Sequence, residues 1–375
     1  MKLGMVLGLL VLWGTSLGSA DSRIKDEPNG QNLVIITLDG FRWQELFEGA
    51  DADLISDPAW TQDTAYTKAL YWHADPAVRR ERLMPFFWNV IAKRGQLHGN
   101  RKVGSHVNTK NFYQISYPGY NEIFTGIADP FISTNKKVRN KNRNFLEHLN
   151  AMPAYAGKVA AFASWDAFPF ILNRERGGFF LNAGHEAVAE SSSEVAPLNA
   201  ISAHNSEGDR VTRDDRITFL SALDFVKRRQ PKVLFLGLSG TDDAGHEKSY
   251  DRYLKSAAEA DRMIAELWAL LQSMPQYRDN TTLLVTTDHG RGASDKLWYN
   301  HGFFIGGSSQ TWMALLGPSV KPLGEYRGNS QLYQKHISGT MGYLLGVKSW
   351  SGGMLPKSLF LPATPQASSE AIAGK

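Results

Sequence analysis

The sequence predicts a three-layer α/β/α sandwich built around a mostly parallel sheet, and three observations carry that prediction. Short apolar runs at 33–38, 158–164, 232–238 and 282–287 are separated by longer stretches of helical period. Each run is too short for a helix and lacks the alternation of a half-exposed strand, so it suits a strand buried on both faces. Strands alternating with helices imply βαβ units, which lay helices on both faces of one sheet. Third, acidic residues and histidines collect just after the runs, at the edge where such sheets hold their ligands.

Taken in order, residues 1–20 read as a secretory leader. Lys2 supplies the charged start, Met5 to Trp13 the apolar run and Gly18-Ser19-Ala20 a small-residue cleavage site. An exported protein, periplasmic or extracellular, is therefore expected, with no membrane span once the leader is removed. Residues 21–31 (DSRIKDEPNGQ) read as a linker to a domain at 32–350. The first strand, LVIITL at 33–38, stops at Asp39-Gly40. Residues 43–80, aromatic and polar without period, read as a cap-like insertion, and 84–94 as a helix. An extended stretch at 111–115 leads into Ser116, with Pro118 suited to the first turn of a helix. Helix 145–156, strand 158–164 and a second insertion at 165–215, rich in Gly, Asn, Ser and Glu, come next. Helix 217–229, strand 232–238, helix 250–273 and strand 282–287 complete the pattern, and 351–375 reads as a tail.

Composition narrows the chemistry. The chain has 375 residues, 42% hydrophobic and 21% charged, which suits a packed α/β domain rather than a disordered chain. A net charge of +4, spread along the chain, gives no footprint for a nucleic-acid polymer. Cysteine is absent, which excludes disulfides, thiolate ligands and a cysteine nucleophile.

The residues that carry chemistry stand at strand ends. Asp39 follows the first strand. Asp242 and His246, in TDDAGH, follow the third, and Asp288 and His289, in TTDHG, follow the fourth. His301, in YNHG, lies in a loop shortly after. Alone, each is ordinary capping or surface chemistry. Together, three Asp and three His at one sheet edge form an N/O ligand set for two divalent ions, most simply Zn²⁺. Two ions a few Å apart can clamp the attacking and leaving oxygens of an in-line phosphoryl displacement. Ser116, at a predicted helix N-terminus, is the candidate nucleophile, because the unpaired N–H groups there favour a bound phosphate. The competing reading of Ser116 is a helix cap. No Gly-x-Ser-x-Gly elbow surrounds it, which disfavours a serine-hydrolase triad.

DGFRW at 39–43, SYPGYNEIFTG at 116–126, DDAGH at 242–246, DHG at 288–290 and NHG at 300–302 together resemble the alkaline phosphatase superfamily. The order and spacing come closest to its nucleotide pyrophosphatase/phosphodiesterase branch. That resemblance implies Asp242, His246 and His301 around one zinc, and Asp39, Asp288, His289 and the Ser116 oxygen around the other. It implies a covalent phosphoserine intermediate formed from a small-molecule phosphoester, and makes Asn135 the candidate for holding a phosphoryl oxygen. The branch usually has Thr, an aromatic, Pro and Asn where this chain has Ser-Tyr-Pro-Gly. One monoesterase branch carries Lys and Arg after the strand equivalent to 158–164, whereas this chain has Trp165, Asp166 and Ala167. Trp165 as an apolar wall then favours phosphodiesters or nucleotide-like substrates, with Arg174 or Arg176 as the residues able to reverse that preference. The alternatives are a phosphomonoesterase, a sulfatase (disfavoured because residue 120 is Tyr rather than Arg) and a non-catalytic metal- or carbohydrate-binding protein of the same fold.

Overall fold

The computed structural model describes residue 26 and residues 28–188, 192–205 and 211–361. The leader expected at 1–20, most of the linker and the end of the tail lie outside the described residues. Eleven strands are present among them: β1 (Asn32–Leu38), β2 (Gln96–His98), β3 (Ser105–Asn108), β4 (Val159–Ala163), β5 (Phe180–Ala183), β6 (Val233–Leu238), β7 (Thr281–Thr286), β8 (Gln310–Thr311), β9 (Met313–Leu316), β10 (Gly324–Glu325) and β11 (Ser330–Tyr333). Eight of them form one sheet in the order β10-β2-β9-β7-β1-β6-β4-β5, and β11-β3-β8 form a small second sheet. In the large sheet only β9 runs against the rest, pairing antiparallel with β2 and β7.

The three innermost strands explain the site. β1 is parallel to β7 on one side and β6 on the other, with Thr37 opposite Thr286 and Leu38 opposite Leu238. All three are buried along their length. Side chains therefore leave both faces to packed helices, and two apolar cores result. Helices Asp215–Arg229 and Tyr250–Ser273 share the core on one face, and helices Ser116–Thr125 and His336–Leu345 the core on the other. This is the three-layer fold expected from the sequence.

Several boundaries move. Residues 165–215 do not form a pure insertion, because 180–183 add β5 to the sheet edge beside β4. The helix expected at 145–156 spans only Phe145–Asn150, where an Asn144–Glu147 capping box fixes its start. Between 84 and 94 the chain makes a π-type turn, Phe87–Ile91, before a short α-turn. The expected tail begins too early: Leu355, Leu359 and Phe360 are buried, so packing continues to residue 361. Residues of the expected linker also dock, with the Asn29 N–H donating to the Leu345 carbonyl and Gln31 Nε2 to Ser319 Oγ.

Candidate metal centre

Strand register brings the ligand candidates together. The Asp39 N–H donates to the Leu238 carbonyl, so Asp39 sits where β1 and β6 end side by side. Helix Gly240–His246 starts directly after β6, and its i, i+4 spacing places Asp242 and His246 on one face, 3.1 Å apart between Oδ2 and Nε2. Asp288 and His289 follow β7, and Asp288 Oδ1 accepts the Gly40 N–H at 3.1 Å. Two clusters result: Asp242, His246 and His301 in one, Asp39, Asp288 and His289 in the other. In each, one donor atom per residue lies within 4.8 Å of the others.

Ser116 opens the helix Ser116–Thr125. Its Oγ lies 3.2 Å from His289 Nε2 and 3.4 Å from Asp39 Oδ1. The approach to it is not the extended stretch expected from the sequence, since Gln114 is left-handed with φ 55°. A buried carboxylate anchors that loop: Glu122 accepts N–H groups from Lys110, Asn111 and Lys335. Gly119 packs against Asp288; a Cβ there would stand 2.5 Å from the Asp288 carbonyl oxygen. That contact fixes the distance between the serine helix and the β7 loop, and it explains glycine at this position.

The donor set fits bound cations. His289 Nδ1 lies 2.9 Å from the Gly290 carbonyl, which can only accept, so Nε2 presents a lone pair toward Asp39 and Asp288. Asp288 Oδ2 is buried and has no hydrogen-bond partner. Burial, and then the charge of Asp242, push the Asp39 carboxyl well above its ordinary range; burial and the charge of Asp39 do the same to Asp288. Burial, and then His289, push His301 down to about 2, so its imidazole is a neutral ligand-type base, and its Nε2 meets His246 Nε2 at 3.2 Å. Crowded buried carboxylates and imidazole lone pairs of this kind are relieved by divalent ions.

Two partners of the ligand candidates were not legible as such in the sequence. Arg291 is buried, and its guanidinium bonds Asp242 Oδ1 and the carbonyls of Gly40 and Tyr299. Burial opposes ionisation of Asp242, but Arg291 and then His246 hold it well below the usual carboxylate range. Gly245 makes room, since a Cβ there would lie 2.6 Å from Arg291 Cζ. Tyr120 donates its hydroxyl to Asp39 Oδ2 at 3.0 Å. An arginine after DHG and a tyrosine in a helix carry no pattern that announces either contact.

The remaining candidates also find places. Asn135 Oδ1 accepts the Tyr117 N–H at 2.9 Å, which puts its amide beside the residue after Ser116. Trp165 follows β4 at the same sheet edge, half-buried and edge-on to Phe168 at 6.2 Å. Arg174 is paired with Glu186, and Arg176 with Glu147. Asp166 takes the Lys137 ammonium at 2.6 Å.

A profile of the type I phosphodiesterase/nucleotide pyrophosphatase family matches residues 66–309, about two thirds of the chain. The chain belongs to that family. The matched span holds Ser116 and every ligand candidate except Asp39, and the family makes the chain a phosphoester hydrolase. Among curated proteins, none matches the sequence significantly. Solved structures agree in fold. The Listeria monocytogenes lipoteichoic acid synthase LtaP is 13% identical with a TM-score of 0.56, the match covering 88% of this chain and 76% of that one. Murine ectonucleotide pyrophosphatase/phosphodiesterase 5, as an inactive variant in complex with AMP, is 14% identical with a TM-score of 0.53 over 88% of this chain and 100% of its own. The alkaline phosphatase PafA is 10% identical with a TM-score of 0.54, covering 89% and 99% of the two chains.

Proposed function

We propose that this family member hydrolyses phosphodiesters with Ser116 as a covalent nucleophile between two bound divalent ions, most simply zinc. The observation that carries the reading is Ser116 Oγ at the start of a buried helix, within 3.4 Å of both His289 and Asp39. Asp242, His246 and His301 would hold one ion, and Asp39, Asp288, His289 and Ser116 the other. When bound, such ions lower the pKa of a coordinated hydroxyl or water and neutralise charge on a transferring phosphoryl group.

The chain's own groups supply orientation. Tyr120 and Arg291 each occupy one oxygen of a ligand carboxylate, which fixes how Asp39 and Asp242 face the centre. Asn135, its oxygen engaged by the Tyr117 N–H, is left with an amide Nδ2 to donate to a phosphoryl oxygen. The Ser116 hydroxyl loses its proton to solvent as Oγ forms a bond to phosphorus and the ester P–O bond opposite it breaks, and the leaving oxygen takes a proton from solvent. Water then attacks phosphorus as the Oγ–P bond breaks; the water loses a proton to solvent, and Ser116 Oγ takes one up to restore its hydroxyl.

Diester preference follows from charge. A doubly charged monoester needs cations that a singly charged diester does not. The two arginines able to supply them are ion-paired elsewhere, and Trp165 offers an apolar wall. Lys137 is the observation favouring a monoester, since it is two residues from Asn135, although Asp166 neutralises it. Comparing kcat/KM for matched mono- and diesters in wild type, Trp165→Ala and Lys137→Ala tests the preference. A large monoester preference lost in Lys137→Ala would reverse it. Export, expected from the leader, belongs to the same proposal; no helix among the described residues is long and apolar enough to cross a membrane.

A further inference from the structure

An apolar rim surrounds the loop that carries Ser116. Phe131 and Phe304 are each 91% exposed, and Phe112 is 58% exposed. Ring contacts and one hydrogen bond link them into one surface. Phe112 stacks on Phe303 with ring centroids 3.8 Å apart, and Phe303 meets Phe304 at 4.7 Å. On the other side Phe112 touches Tyr113, whose hydroxyl donates to the carbonyl of Pro130, next to Phe131. The rim is anchored to the centre at both ends: Phe303 is two residues from His301, and Tyr113 three from Ser116. Single exposed apolar residues are commonplace, but a connected patch of bare phenylalanines marks an interaction site.

Beside the rim, residues 136–143 read KKVRNKNR, with five cations and no acidic residue. Lys137 and Arg139 are paired with Asp166 and Glu175. Lys136, Lys141 and Arg143 have no ion-pair partner among the described residues. The run begins next to Asn135, which contacts the backbone of Tyr117. Protruding aromatics flanked by unpaired lysines and arginines are the composition that inserts into the boundary of an anionic bilayer. A pocket for one small substituent is instead concave.

We propose that this rim docks the protein on an anionic lipid surface, so that Ser116 faces phosphoesters of lipid headgroups. The proposal rests on the phosphoester-hydrolase reading for its chemistry but not for the docking itself. Both are measured on the full-length metal-loaded protein. Sedimentation with vesicles of phosphatidylcholine alone, or with phosphatidylglycerol added, reads docking; hydrolysis of bis-p-nitrophenyl phosphate reads chemistry. The variants are Phe131→Ser with Phe304→Ser, and Lys136→Glu with Lys141→Glu, all at exposed side chains outside the catalytic machinery. Wild type should bind the anionic vesicles at least about tenfold more than the neutral ones, and less as salt rises. Either double variant should lose about tenfold in binding while keeping the soluble-ester rate. Wild type that fails to bind anionic vesicles, or variants that bind as wild type does, would overturn docking even where the soluble ester is hydrolysed. Variants that bind vesicles normally but show a raised KM for the aromatic ester would reassign the rim to soluble substrates. Loss of the soluble-ester rate in wild type, with docking intact, would instead overturn the catalytic reading.

Discussion

Ser116 Oγ stands between His289 and Asp39, so replacing it separates chemistry from binding. Ser116→Ala should keep both metals and the fold while losing about a thousandfold or more in kcat; metal analysis beside single-turnover rates checks this, and near-normal turnover would remove the serine from the mechanism. Tyr120 holds the second oxygen of Asp39. Tyr120→Phe leaves the ring in its buried place and removes only the hydroxyl, so affinity for the ion at Asp39 should fall by about 10-fold or more. Competition titration with a chelating dye reads that loss site by site. Equal loss at both sites, or none, would mean the hydroxyl is merely a satisfied buried group.

At the scale of elements, the serine helix lies against the β7 loop through a glycine. Gly119→Ala would set a methyl 2.5 Å from the Asp288 carbonyl oxygen, so the helix must move. Overpacking of this kind costs about 1–3 kcal/mol, and here it should also lower kcat by displacing Ser116; denaturation curves beside kinetics check both. Helix Tyr250–Ser273 carries a different device. Its buried Asp261 accepts the N–H groups of Phe86 and Phe87, which fixes the turn before Phe87–Ile91. Burial pushes this carboxyl up from 3.8 to about 7, against the two N–H donors. The folded state then holds a proton that the unfolded chain releases, so this group's stabilisation is full below about pH 4 and declines up to about pH 7. Asp261→Asn should lower Tm overall by losing one acceptor, while flattening its fall between about pH 4 and 7 relative to wild type. Parallel Tm slopes would contradict the assignment.

For the whole molecule, the sheet was legible because β1, β6 and β7 are continuous apolar runs, and helix Tyr250–Ser273 appeared with the bounds its periodicity gives. The edge strand β5 was not, because FLNA is short and lies among turn residues. Six ligand candidates were legible because strand ends of a parallel sheet share an edge. Arg291 was not, since its role comes from three backbone and side-chain partners far apart in sequence. The left-handed Gln114 was not legible either, because its loop is held by Glu122 accepting the N–H groups of Lys110, Asn111 and Lys335 rather than by local propensity.

Double displacement through Ser116 fixes the stereochemical course at phosphorus. Hydrolysis of a chiral phosphorothioate diester in isotopically labelled water should proceed with net retention, because two in-line displacements each invert the centre. Net inversion would mean a single direct attack by water, and would contradict the covalent role of Ser116.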